Sequence, residues 1–219
     1  MLLDLLLPRR CVVCAAPGPQ LCGPCGDALP RLTGPLCARC GAPTAWPVSR
    51  CRECAGRRLG FASARAAVEY DAAVRRIVSG WKERGLRRLA QPAAALALSV
   101  IRPPPVDAVT FVPPDPGRRR RRGEHPAEAL ARLLGDAWAL PVERLLARSG
   151  WAPRQRGLAL ADRRRNVRGA FAPAADSPAA VAVVDDVYTS GATVSAAAGA
   201  LRGAGARQVV AITFARVVR

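Results

Sequence analysis

Aromatic residues make up only 5% of the 219-residue chain. That scarcity argues against the stacked-base platforms used by single-strand nucleic-acid binders. No apolar run reaches membrane length. Met1-Leu2-Leu3-Asp4-Leu5-Leu6-Leu7 stops at Pro8 and has no basic segment before it. It is too short for a signal peptide or a span and reads as a short docking helix. The chain is therefore expected to be soluble and cytoplasmic, with no membrane partner. Acidic residues are also few, 16 against 34 lysines and arginines, which gives a formal charge of +18. Such a balance favours polyanionic partners, either nucleic acid or a small substrate carrying several phosphates. Lys82 is the only lysine and His125 the only histidine.

The eight cysteines fall into four C-x-x-C pairs, Cys11/Cys14, Cys22/Cys25, Cys37/Cys40 and Cys51/Cys54. Two thiolates at that spacing hold one tetrahedral metal from a tight turn, and two such knuckles complete a four-thiolate shell. Eight ligands imply two structural Zn²⁺ ions. The turn formers Pro17-Gly18-Pro19, Gly23-Pro24 and Gly41 accompany them, and no long apolar run lies between Pro8 and Gly60. This segment cannot build a core alone, so metal has to supply its folding free energy, about 10–16 kcal/mol per site. Disulfides are disfavoured in a reducing compartment. Pairing is either sequential, the first four cysteines and then the last four, or cross-braced. The short gaps favour the sequential pattern.

Val181-Ala182-Val183-Val184 runs into Asp185-Asp186, then Val187-Tyr188-Thr189-Ser190-Gly191-Ala192-Thr193 and a helical stretch. A buried strand, a tight loop and a helix N-terminus meet at one point, where outward main-chain N–H groups form an anion site. Gly191 lets the backbone approach an anion closely. Thr189, Ser190 and Thr193 add hydroxyl donors. Asp185 and Asp186 would repel phosphate, so their task is to accept hydrogen bonds from sugar hydroxyls or to hold hydrated Mg²⁺.

Strands and helices alternate around this loop. Phe61–Tyr70 reads as a strand. Asp71 caps a helix whose apolar face is Val74, Ile77, Val78 and Trp81, and Gly85 ends it. A helix over 90–101, a strand over 106–112, a helix over 126–138, a strand near 142–146, a strand over 180–185, a helix over 193–203 and a strand over 207–215 follow. Residues 148–174 are polar and basic, of the length expected of a functional lid or a disordered segment. The alternation predicts an α/β fold with a largely parallel sheet, ligands binding beyond the carboxyl ends of its strands. The domains are expected at 1–58 and 59–219.

The Asp-Asp loop resembles the phosphoribosyl-diphosphate (PRPP) motif of type I phosphoribosyltransferases. The whole chain resembles the ComF family of competence-associated proteins, which join a double zinc ribbon to a phosphoribosyltransferase domain. The C-x-x-C array carries that resemblance. So do Val112-Pro113-Pro114 leading to Arg122-Gly123, the residues Gln155, Leu158, Arg163, Asn166, Val167, Gly169, Ala170 and Phe171, and the Asp-Asp loop. One departure follows Arg122-Gly123: Glu124-His125-Pro126 stands where the family continues Phe-Asn-Gln. His125 there reads as a helix cap before Pro126.

The resemblance implies transfer of ribose 5-phosphate from PRPP to an acceptor with release of pyrophosphate, or a non-catalytic PRPP or nucleotide sensor serving DNA uptake or repair. It implies that Thr189, Ser190, Gly191, Ala192 and Thr193 cradle the 5′-phosphate. Asp185 and Asp186 would hold the ribose hydroxyls and Mg²⁺-bound water. Backbone at Pro114 to Gly117, Pro114 and Asp115 included, with an arginine from 118–122, would meet pyrophosphate, and Arg163 would close over it from a mobile loop. Lys82, apart from the resemblance, reads either as a solvated cation favourable at the end of its helix or as a contact to substrate from above the site. DNA, or a DNA-uptake or helicase protein, is the further partner class the resemblance implies.

Overall fold

A computed structural model describes residues 9–114, 125–149 and 169–218. The expected docking helix at Met1–Leu7, together with Asp115, the arginines 118–122 and Arg163, lies outside the described residues. The ribbon segment has little regular structure beyond a short helix α1 (Gly23–Asp27). After it come β1 (Ser63–Glu69), α2 (Ala72–Lys82), a 3₁₀ turn at Arg87–Leu89, α3 (Ala90–Val100), β2 (Ala108–Phe111) and α4 (Pro126–Trp138). The chain continues through β3 (Leu146–Arg148), β4 (Phe171–Pro173), β5 (Ala180–Tyr188), α5 (Ala192–Gly203) and β6 (Gln208–Arg216).

The main sheet has the order β1-β6-β5-β2, and all of its pairings are parallel. Its two central strands, β5 and β6, are covered on both faces and are near-continuous apolar runs, as burial from both sides requires. One face packs on α2, α3 and α4 through Val109, Ala182, Val184 and Ile212. The other face carries Val181, Val183, Val209 and Ala211 and packs on α5. Cys37, Cys40 and Cys54 belong to that second core, so the ribbon is built into the domain rather than tethered to it.

The apolar stripe of α2 is buried at Val74, Ile77, Val78 and Trp81, and the Asp71 carboxylate accepts from Val74 N at 2.8 Å. Two expectations are corrected. The strand near 142–146 is not a main-sheet strand: Val142 makes only an isolated bridge to Val109, and β3 pairs antiparallel with β4 in a separate two-stranded sheet. The strand expected to stop at Asp185 runs on to Tyr188, because β6 continues to pair with it through Val187↔Ala215 and Tyr188↔Arg216.

Arg216, at the end of β6, is 1% exposed. Its guanidinium donates to Cys40 O at 2.7 Å and to Glu53 Oε2 at 2.6 Å, and lies 4.5 Å from the centre of the Tyr188 ring. Gly60 is the tight point of the join: a Cβ there would lie 2.5 Å from Ser195 O. Gly60 N donates to Ser195 Oγ at 2.8 Å, and Arg202 Nε donates back to Gly60 O at 2.9 Å. Glu53→Ala leaves the Arg216 charge buried and unpaired, a loss of about 3 kcal/mol. The expected fall in thermal midpoint is roughly 6–12 °C, read by calorimetry; an unchanged midpoint would show that the pair does not join the two parts.

Candidate functional site

Each half of the ribbon gathers four thiols. Cys11, Cys14, Cys22 and Cys25 form one cluster and Cys37, Cys40, Cys51 and Cys54 the other, with all sulfurs of a cluster within 4.8 Å of one another. Sulfur separations are 3.7 Å for Cys14–Cys22, 3.6 Å for Cys37–Cys54, 3.4 Å for Cys40–Cys51 and 3.9 Å for Cys51–Cys54. A zinc tetrahedron with bonds of about 2.3 Å has edges of about 3.8 Å, far longer than a disulfide. All eight thiols are free of disulfides, so the donor set fits two structural Zn²⁺ ions. The pairing is sequential.

The second constellation sits at the carboxyl ends of β5 and β2. Asp185 and Asp186 are the last acidic residues of β5 and are 8% and 3% exposed. Asp186 N donates to Asp185 Oδ1 at 2.9 Å. Lys82, at the last turn of α2, places Nζ 2.6 Å from Asp186 Oδ2, an ion pair without hydrogen-bond alignment. Burial, and then the neighbouring Asp186 charge, raise the Asp185 carboxyl to about 8, and Lys82 offsets only part of that. The pair therefore carries less positive charge around it than two ionised carboxylates need.

Directly after β5 the chain turns through Thr189 and Ser190 into Gly191, the N-cap of α5, at φ 72°. Glycine is required twice here. The left-handed conformation penalises a side chain, and a Cβ would lie 2.4 Å from the Tyr188 hydroxyl. Ser195 N donates to Gly191 O at 2.9 Å and starts the helix, and Ala192 N reaches Ser190 Oγ at 3.4 Å. Ser190 and Gly191 donate no main-chain hydrogen bond among the described residues. A cradle of free N–H groups at a helix N-terminus can take an anion. Pro114 lies just beyond β2, after Val112 N donates to Val184 O at 2.9 Å.

His125 occupies the N-cap position of α4 with Pro126 opening the helix, as expected, yet its side chain makes no cap bond. Its Nδ1 is buried and has no hydrogen-bond partner among the described residues. Burial lowers its pKa, and Asp186, Lys82, Glu128 and Arg148 are its charged neighbours, so the imidazole belongs to the carboxylate corner.

Sequence reading brought Lys82, Asp185, Asp186 and the 189–193 loop to one end of the sheet, and the structure brings them together there. It did not single out Arg57, whose Nη2 donates to Ser190 O, or Tyr188, Arg216 and Glu53. No spacing rule links an arginine after a zinc knuckle to a loop 133 residues away. Metal analysis of the purified chain should find close to two zinc ions, one per thiol cluster; one or none would refute the paired sites.

The family model of the double zinc ribbon domain matches residues 2–55. Competence protein F of Haemophilus influenzae is 26% identical over 208 residues, covering 90% of each chain. The solved structure of the allosteric regulatory enzyme of purine biosynthesis aligns at 23% identity with a TM-score of 0.38, over 57% of this chain and 25% of that one. Only about a quarter of that enzyme's length is spanned. No described helix is long and apolar enough to cross a membrane. The chain is thus similar to competence protein F over most of its length, and in it a double zinc ribbon is joined to a mostly parallel α/β domain.

Proposed function

We propose that the domain over 59–219 binds PRPP and transfers its ribose 5-phosphate to an acceptor, with the ribbon domain over 1–58 as its structural partner. The observation that carries this reading is the adjacency of two features. An under-neutralised carboxylate pair ends β5, and an anion cradle with free N–H groups begins α5. PRPP matches both, since it offers a 5′-phosphate and, on the ring attached to it, hydroxyls and a metal-binding pyrophosphate.

In this reading the N–H groups and hydroxyls of Thr189, Ser190, Gly191, Ala192 and Thr193 hold the 5′-phosphate. Asp185 and Asp186 accept from the ribose hydroxyls and from Mg²⁺-bound water. Bound Mg²⁺ would neutralise the pyrophosphate and the carboxylates together. Main chain at Pro114 and Asp115 and the Arg163 side chain are assigned to the pyrophosphate; Asp115 and Arg163 lie outside the described residues. Lys82 pairs with Asp186 and is assigned to the ligand once a second cation arrives. In the transfer, the acceptor's lone pair bonds to C1 as the C1–pyrophosphate bond breaks, and pyrophosphate leaves with that bond's electrons. The acceptor proton departs to solvent or to a neighbouring base. Positioning and charge stabilisation supply the rate.

The test is calorimetry with PRPP and Mg²⁺. Wild type is expected to bind, and the paired change Asp185→Asn/Asp186→Asn to weaken binding by about 2–3 kcal/mol, the cost of losing charge-assisted hydrogen bonds. Because Asp185 titrates at about 8 in the free protein, it carries a proton at pH 7 that the folded, ligand-bound site must release. Binding at pH 7 should therefore release close to one proton, and above pH 9 almost none. Titrations in buffers of different ionisation heat read that number. No binding heat with wild type would end the proposal, whereas binding without pyrophosphate release would favour the sensor.

A second reading rests on the formal charge of +18 alone: a DNA partner met through phosphates. Such binding should fall steeply between 50 and 200 mM salt, by a factor on the order of 10³ for six contacts. Retention that ignores salt would set it aside.

A further inference from the structure

The second thiol cluster reaches the anion cradle by two separate routes. Arg57 follows Cys54, and its Nη2 donates to the main-chain carbonyl of Ser190. Its Nη1 also donates to Glu53 O at 3.3 Å, within the same knuckle. The other route runs through Arg216. This buried guanidinium is held by Cys40 O and Glu53 and lies against the Tyr188 ring, which also meets Phe61 edge-on at 6.2 Å. Tyr188 in turn fills the space against Gly191 that a Cβ would need.

The first route has a direct geometric consequence. A trans peptide is planar, and its C=O and N–H point in opposite directions. The Ser190–Gly191 peptide has its carbonyl drawn to the ribbon by Arg57, so its Gly191 N–H points away from the ribbon. That N–H has no partner among the described residues. With Ser190 O released, the peptide can rotate, and Gly191 is the one residue in the loop with the conformational freedom to follow. Arg57 is therefore placed to set the direction of the donor rather than to touch the ligand. Arg57 also lines a cleft of about 740 Å³ with Leu59, Gly60, Phe171 and Ser195, and its contact to Ser190 is half-buried.

We infer that the second zinc knuckle is the abutment of the phosphate loop, and that Arg57 is a positioning residue which aims the Gly191 N–H at the 5′-phosphate. This rests on the PRPP reading above. The assignment separates two halves of one ligand: the 5′-phosphate depends on the knuckle and the pyrophosphate does not. The first thiol cluster has no role in it.

The experiment uses the full zinc-loaded chain and three probes: PRPP with Mg²⁺, ribose 5-phosphate, and pyrophosphate with Mg²⁺. Arg57→Met keeps the apolar stem and removes the donors. It should retain both zinc ions, weaken PRPP and ribose 5-phosphate by about tenfold, and leave pyrophosphate unchanged. Arg57→Lys, which restores one donor, should recover most of the lost affinity. Should Arg57→Met lose zinc, Arg57→Gln, which keeps a neutral donor on a shorter stem, is titrated with the same three probes; loss confined to PRPP and ribose 5-phosphate is the expected result, and unchanged affinity overturns the assignment. Equal losses for all three probes would mean general loosening and would overturn it too. Wild type that binds PRPP, with Arg57→Met indistinguishable from it, removes this inference alone. Wild type that binds neither PRPP nor ribose 5-phosphate removes the PRPP reading and this inference with it.

Discussion

Burying a guanidinium is tolerable only when its charge is paired, and Arg216 shows what that requirement organises. It sits at the end of a central strand, 1% exposed, with a zinc-knuckle carbonyl and the Glu53 carboxylate on one side and an aromatic ring on the other. An unpaired charge there would cost several kcal/mol. The knuckle, the strand end and Tyr188 are therefore fixed relative to one another, and the loop that starts at Thr189 inherits that placement. The metal cluster supplies the stiffness that a segment without an apolar core lacks.

The carboxylate corner follows a different rule. Two acids side by side at the end of a buried strand are costly unless a cation answers them, and Lys82 answers only one directly. Such a site is under tension toward positive charge. Close by, the α5 terminus draws negative charge. A ligand that is anionic at one end and metal-bearing at the other relieves both. His125, half-buried near the acids, is held by that burial below the ordinary imidazole range.

What could be read from the sequence was local. The C-x-x-C pairs gave both metal clusters because the ligands of each knuckle are three residues apart, and the short gaps pointed to the sequential pairing. The stripe at Val74, Ile77, Val78 and Trp81 and the cap at Asp71 were legible for the same reason. The acid pair and the glycine loop were visible as a strand-to-helix turn. What escaped was decided across the chain. The continuation of β5 to Tyr188 depends on β6. The separate β3–β4 ribbon depends on a pairing between Leu146 and Pro173. Arg57 and Arg216 find partners 133 and 163 residues away, where no periodicity operates.

The order of strands in the main sheet carries a consequence for how the chain is made. The centre is formed by β5 and β6, while the earlier β1 and β2 lie at the edges. Ser63 has to wait for Val210 before it gains its neighbour, and Ala108 for Val181. On the ribosome, therefore, the metal clusters can close, and the outer edge of β1 can bond to the ribbon, while the inner edges of β1 and β2 still lack their strand partners. Pairing over such distances is slow, and unpaired strands invite association with other nascent chains. A cell producing this protein must shield those early strands until the middle of the sheet arrives.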